Sequence, residues 1–152
     1  MSNDLENQTT ADRPRPDHPL STASINLTGT RVFLAEDEPI LLWALEEVLS
    51  SLGCNVVGTA TRVSKALAFA ATHSFDVAVL DGNLLDGTID PVVAVLLARG
   101  TPVVISSGTA SAECTERFGS VVTVQKPYND ADLRQALLLA LARGQSKQDL
   151  GT

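Results

Sequence analysis

Apolar residues along this chain fall into short unbroken runs, separated by longer stretches in which they recur every three or four positions. The runs at 32–35, 54–57, 77–80, 103–105 and 121–124 are dominated by Val, Leu, Ile and Ala. Runs this short, rich in β-branched residues and without an alternating polar face, predict strands covered on both sides, as in a parallel sheet. The intervening spacing predicts helices over 39–52, 61–72, 91–99 and 130–143, with a short one over 110–117.

The punctuation agrees with these elements. Gly53 and Gly100 stand just past two predicted helix ends, where a left-handed residue closes a helix. Asp90-Pro91 predicts an N-cap followed by proline in the first turn. Asn129, with Asp132 three residues on, predicts a reciprocal cap for the last helix. Consecutive strand-then-helix units joined by right-handed crossovers predict an α/β fold, an open doubly wound sheet of five parallel strands. Ligands of such sheets bind beyond the carboxyl ends of the strands, so functional residues are to be sought there.

The flanks carry a different pattern. Residues 1–28 are polar and contain Pro14, Pro16 and Pro19. They cannot bury enough apolar area to offset the entropy of ordering. This predicts a flexible arm over 1–28, a folded domain over 29–144 and a polar tail over 145–152. A net charge of −7 offers no basic surface to a nucleic-acid backbone and disfavours an anionic membrane surface. No apolar run reaches the roughly 18 residues of a membrane span, and the polar N-terminus lacks a signal-peptide core. Cys54 and Cys114 have no CxxC spacing, which predicts reduced thiols rather than a disulfide or zinc site. A cytoplasmic protein is expected, with no room beside the folded domain for a DNA-binding module.

Chemistry gathers at the predicted strand ends. The first strand is followed by Glu36-Asp37-Glu38, the third by Asp81, the fourth by Ser106-Ser107-Gly108 and the fifth by Gln125-Lys126-Pro127. Taken singly, each has an ordinary reading: charges at a helix N-terminus, or residues of a turn. Their recurrence at successive strand ends is harder to assign to chance. Crowded carboxylates must protonate or take a cation. Mg²⁺ suits one or two carboxylates with a carbonyl and waters. Asp81 could then act as a nucleophile forming an acyl phosphate, with Lys126 and Ser107 contacting phosphate oxygens. His18 in the arm and His73 at a helix end are read as solvated rather than catalytic.

As a set, Glu36-Asp37 with Glu38-Pro39, Leu80-Asp81, the run from Pro102 to Gly108 and Lys126-Pro127 resemble the CheY-like receiver domain of two-component systems, over about residues 30–144. The resemblance implies a flavodoxin-like (βα)5 receiver without an output domain. Such a single-domain response regulator of a phosphorelay takes a phosphoryl group from a sensor histidine kinase onto Asp81, with Mg²⁺. It signals by protein–protein interaction with an effector, or acts as a phosphate sink. It is a regulator that catalyses only its own phosphoryl transfer and dephosphorylation, not an enzyme with a separate substrate. The resemblance also implies Asp37 as a direct Mg²⁺ ligand, Glu36 as a ligand directly or through water, and the Asn83 carbonyl as a further protein ligand. Ser107 is implied as the switch hydroxyl and Lys126 as the phosphate contact. Asn83 and Thr109 would flank the path of hydrolytic water. The chain is also similar to the single-domain regulators that work with HWE-type histidine kinases.

Three departures from that pattern stand out. Leu85 replaces a common proline after Asp81. Thr123 stands where many receivers carry a switching aromatic, although Tyr128 is near. The stretch from Ser107 to Ser120 leaves little room for a full fourth helix. Helical spacing places Leu41, Ala44, Leu45, Val48 and Leu52 inward in the first helix, with Leu42 and Trp43 outward. In the last helix it places Leu133, Ala136, Leu137, Ala140 and Leu141 inward, with Leu138 and Leu139 outward. Exposed apolar side chains of this kind suggest docking faces. By resemblance the first would serve the kinase's phosphohistidine domain, and the second a homodimer or effector. Two other classes compete: an Asp-nucleophile phosphatase of haloacid dehalogenase type, and a phosphorylation-independent pseudo-receiver. The first wants Asp-x-Asp after the first strand, where Glu36-Asp37-Glu38 stands instead. The second is disfavoured by the full set of site side chains.

Overall fold

The computed structural model describes residues 26–108 and 121–151, with side chains described as far as residue 144. In chain order the elements are β1 (Arg31–Ala35), α1 (Pro39–Ser51), β2 (Asn55–Ala60), α2 (Val63–Thr72), β3 (Val77–Asp81), β4 (Asn83–Leu84), β5 (Gly87–Thr88), α3 (Asp90–Ala98), β6 (Val103–Ser107), β7 (Val122–Gln125) and α4 (Asp130–Gly151). Five parallel strands form one sheet in the order β2-β1-β3-β6-β7. This is the doubly wound, flavodoxin-like arrangement, and the strand order reverses beside β1 and β3.

Alternation along the strands fills two separate cores. Phe33, Ala78, Leu80, Val103 and Ile105 point to one face, where Ala66 and Ala70 of α2 and Val92, Val93 and Leu96 of α3 cover them. Val32, Leu34, Val77, Val79 and Val104 point to the other, under Leu45 and Leu49 of α1 and Leu133 and Leu137 of α4. Because both faces are dry over the central strands β1, β3 and β6, these need apolar residues at nearly every position, hence their continuous runs. The folded part reaches back to Leu27, which is buried with the α1 and α4 core. Gly53 takes φ +94° just after α1, with its amide hydrogen on the Ser50 carbonyl, the closure its position predicted. Asn129 and Asp132 exchange side chain-to-amide bonds of 2.8 and 3.2 Å at the start of α4, the expected reciprocal cap.

Several expectations shift. Leu41 is 40% exposed, whereas Leu42 is half-buried against the core. The stripe of α1 against the core runs through Leu42, Leu45, Val48, Leu49 and Leu52, so Leu45, Val48 and Leu52 lie inward as expected while Leu42 takes the place of Leu41, which faces a groove beside α4. Leu138 is 1% exposed and belongs to the core, not to an outer face. The reason is that α4 lies across β3, β6 and β7, so a wider arc of it touches the sheet. Trp43 and Leu139 are exposed, as expected. Asp90 is already in the first turn of α3 rather than at its cap, which is Ile89. The last helix continues to Gly151 instead of ending at Arg143; Gln and Lys in that stretch are good helix formers. The β4–β5 hairpin has no counterpart among the sequence-based elements. The expected helix over 110–117, together with His18, Thr109, Cys114 and the arm as far as residue 25, lies outside the described residues. Among the described residues, Cys54 is buried with a free thiol, and no helix is long and apolar enough to cross a membrane.

Candidate functional site

The carboxyl ends of β1, β3, β6 and β7 meet at one edge because the parallel register sets them side by side. Ala35 is opposite Leu80, Asp81 opposite Ser106, and Ser107 opposite Gln125. Each strand therefore hands its next side chain to the same crevice. Glu36 and Asp81 are buried, at 1% and 8% exposure, while Asp37 is half-buried. One oxygen from each of these three carboxylates lies within 4.8 Å of the others.

Lys126 reaches across this cluster. Its Nζ donates to Asp81 Oδ2 at 3.2 Å and to Glu36 Oε1 at 3.4 Å. The backbone amide of Lys126 is fixed by the Ser107 carbonyl at 2.8 Å, so the fourth and fifth main strands locate the ammonium jointly. Backbone amides serve the same carboxylates: Glu38 N–H donates to Glu36 Oε2 at 3.3 Å, and Asn83 N–H to Asp81 Oδ1 at 3.3 Å. Ser107 stands beside the Asp81 turn, since a Cβ built on Gly82 would lie 3.8 Å from Ser107 Oγ.

The electrostatics show a shortage of positive charge. Burial, the Asp81 charge and a hydrogen bond with Asp37 push the Glu36 carboxyl up to about 7, and Lys126 offsets only part of this. Burial alone would lower Lys126, but the charges of Asp81 and Glu36 outweigh it and raise its pKa. One ammonium thus faces a cluster of three carboxylates. Among the described residues the donor set is all oxygen, with no His or Cys, which suits a hard divalent cation such as Mg²⁺ better than zinc. A dication would offset the burial and the Asp81 charge that raise Glu36.

The structure brings together Glu36, Asp37, Asp81, Ser107 and Lys126 from the sequence-based set, and places Asn83 two residues beyond Asp81 in β4. Leu85, at the departed proline position, is exposed in the turn between β4 and β5. Thr123 is half-buried on β7. Tyr128 packs against the α1 and α4 core, its pKa raised chiefly by burial. A groove of about 550 Å³ opens next to the cluster, bounded by Leu41 and Leu45 of α1, Lys126, Tyr128 and Leu133.

One participant escaped sequence reading. Asp86, in the turn of the β4–β5 hairpin, accepts the backbone amides of Val63 and Ser64 at the start of α2. Asp86-Gly87 signals a turn, but nothing local reveals which helix it meets.

Comparison with known proteins places these features in context. Residues 32–138 match the response regulator receiver domain. The transcriptional regulatory protein PdtaR of Mycobacterium tuberculosis is 30% identical over 118 residues, covering 74% of this chain and 57% of PdtaR. The response regulator PhyR of Brucella abortus superposes with a TM-score of 0.72 at 27% identity, over 83% of this chain and 53% of that one. SdrG of Sphingomonas melonis Fr1 superposes with a TM-score of 0.64 at 35% identity, over 73% of this chain and 97% of SdrG. The chain spans about half the length of the curated relatives it matches.

Proposed function

This chain belongs to the response regulator receiver domain family, a family of regulators rather than enzymes, and on that premise we propose that it is charged with a phosphoryl group on Asp81 and signals through protein partners. The observation that carries the reading is Lys126, whose ammonium lies within 3.4 Å of both Asp81 and Glu36 at the meeting point of the strand ends. That geometry supports Asp81 as the nucleophile and Lys126 as the cation for the incoming phosphoryl oxygens.

In the proposed reaction an Asp81 oxygen forms a bond to phosphorus as the phosphorus–nitrogen bond of a kinase phosphohistidine breaks. Lys126 turns from the bare carboxylate to a phosphoryl oxygen, and the Ser107 hydroxyl donates to another. Glu36, Asp37, Asp81 and the Asn83 carbonyl would hold Mg²⁺, which when bound supplies charge compensation for the phosphoryl group. The receiver is assigned to the folded part from Leu27 through the last helix, slightly wider than residues 29–144, and the setting is cytoplasmic. The apolar side chains Ile40, Leu41 and Trp43 are exposed on α1, Leu41 at the groove, and α1 is the helix to which the kinase's phosphohistidine helices would dock. Output follows from binding an effector, or from draining phosphate from a shared kinase. The presence of every side chain this chemistry needs favours it over a phosphorylation-independent binding module. No feature of the site favours a phosphatase acting on separate substrates.

Acetyl phosphate with Mg²⁺ tests the assignment. Intact mass should rise by one phosphoryl group (~80 Da, the mass added in an acyl phosphate), and the Asp81→Asn protein should show no gain. Equal labelling of that variant would overturn it.

A further inference from the structure

We propose that Asp86 is a positioning residue for the Asp81 centre: by clamping the β4–β5 hairpin to the start of α2, it fixes the Asn83 carbonyl where a divalent cation can use it. This deepens the functional reading above and rests on it.

Helix α2 begins without a cap of its own. Arg62 occupies the cap position and supplies no side-chain hydrogen bond, so the first amides of the helix would be left to solvent. They are met instead from another part of the chain. Asp86 Oδ1 accepts from Val63 N–H, and Asp86 Oδ2 from Ser64 N–H at 3.3 Å. Leu85 N–H adds a bond of 3.2 Å to the Thr61 carbonyl. These backbone bonds to Val63 and Ser64 also hold the Asp86 carboxyl below the usual carboxylate range.

The other end of the same hairpin is tied to the reactive carboxylate. Asn83 pairs with Thr88, and Leu84 with Gly87. Asn83 N–H donates to Asp81 Oδ1 at 3.3 Å, and Ile89 N–H to the Gly82 carbonyl at 3.1 Å. Leu84 and Ile89 are buried and pin the base of the hairpin. The turn, in contrast, carries the exposed Leu85, and Gly87 sits at φ +149°. The tip therefore has little burial to hold it; besides the Leu85–Thr61 backbone bond, the Asp86 carboxylate supplies both side-chain ties that hold it to α2. Two strands of two residues each are too short to be rigid unaided. Releasing the tip frees the Asn83 carbonyl relative to Asp81, and loosely held ligands bind metal more weakly.

Capping a helix and positioning a ligand are separable, because α2 can be given its own cap. The experiment compares wild type, Asp86→Ala, Asp86→Asn and the double variant Arg62→Ser with Asp86→Ala. Mn²⁺, an oxygen-seeking octahedral stand-in for Mg²⁺, is titrated by electron paramagnetic resonance of the free ion, alongside thermal melts. Asp86→Ala should melt lower and bind Mn²⁺ about tenfold more weakly, the lower end of the usual loss when a ligand's support is removed. Asp86→Asn, which keeps one acceptor, should recover part of both. In the double variant the introduced serine hydroxyl caps the helix but cannot reach the hairpin. Its melting temperature should return toward wild type while its Mn²⁺ affinity stays low. Acetyl-phosphate labelling of Asp86→Ala should slow at limiting Mg²⁺ and recover at saturating Mg²⁺. Unchanged Mn²⁺ affinity in Asp86→Ala, or full recovery of affinity in the double variant, would overturn the positioning role and leave the metal site standing. A wild-type protein that binds no Mn²⁺ would overturn both.

Discussion

Lys126 Nζ and Asp81 Oδ2 lie 3.2 Å apart although 45 residues separate them in the chain. The same ammonium holds the Glu36 carboxyl down, against burial and the Asp81 charge. Lys126→Met keeps most of the side-chain volume and removes the charge. In that protein Glu36 should titrate above its present value of about 7, as read by carboxyl carbon NMR. Acetyl-phosphate labelling should also fall strongly, by roughly 10²-fold or more if Lys126 stabilises developing phosphoryl charge. Unaltered labelling would remove Lys126 from the reaction.

The raised Glu36 pKa gives the metal-free protein a definite pH dependence. A carboxyl that titrates near 7 when folded, from a reference value of 4.5, binds more protons in the folded than in the unfolded state between those values. Its stabilising contribution is complete below about 4.5 and is lost as pH rises through 7. At about 1.4 kcal/mol per pKa unit, this amounts to a few kcal/mol at most. Mg²⁺ needs the deprotonated carboxylate, so its stabilising effect should grow over the same interval. Melts at pH 5, 6 and 7.5 with and without millimolar Mg²⁺ would reveal this. A Mg²⁺ increment in melting temperature that does not vary with pH would be the contrary result.

The two apolar surface hypotheses now separate. Trp43 is 63% exposed, so Trp43→Ala should change stability by no more than about 0.5 kcal/mol. It should slow transfer from the cognate kinase while acetyl-phosphate labelling stays intact. Leu138 is 1% exposed, so Leu138→Ala should cost about 3 kcal/mol and Leu138→Glu should unfold the domain. Leu139→Glu is the surface probe for self-association or effector binding on α4. Denaturant melts alongside pull-down or sedimentation distinguish the two.

Gly58 is required by the Phe69 ring. A Cβ there would stand 2.5 Å from Phe69 Cζ, and that ring is stacked on Phe33 at 4.6 Å. Gly58→Ala should therefore cost about 1–3 kcal/mol by overpacking. Pairing it with Phe69→Ala should reduce that penalty in a double-mutant cycle; strictly additive losses would mean that the ring is not the obstacle.

How much of this was legible beforehand depends on whether a signal was local. The central strands were readable because a sheet covered on both faces leaves few polar positions within them, whereas the edge strands carry Asn55, Thr59 and Thr123. Glu36, Asp81, Ser107 and Lys126 were readable because each is the residue at or just after a strand end, where parallel register gathers them. Helix rotation was less legible. The sequence of α1 is apolar at Ile40, Leu41, Leu42 and Trp43 alike, so periodicity could not fix its phase, and α4 is apolar at 136–141 without a break. The β4–β5 hairpin has strands too short to show alternation. Asp86 was invisible as a cap because the amides it serves lie 22 and 23 residues earlier, beyond any local motif.

The position of β7 at the sheet edge, joined only to β6, orders events during synthesis. A chain emerging from the ribosome presents Glu36, Asp37 and Asp81 well before Lys126. Until the final strand docks, the acidic cluster has no ammonium among it and no groove beside it. On the proposed reading, competence to accept a phosphoryl group therefore arrives only with the last strand.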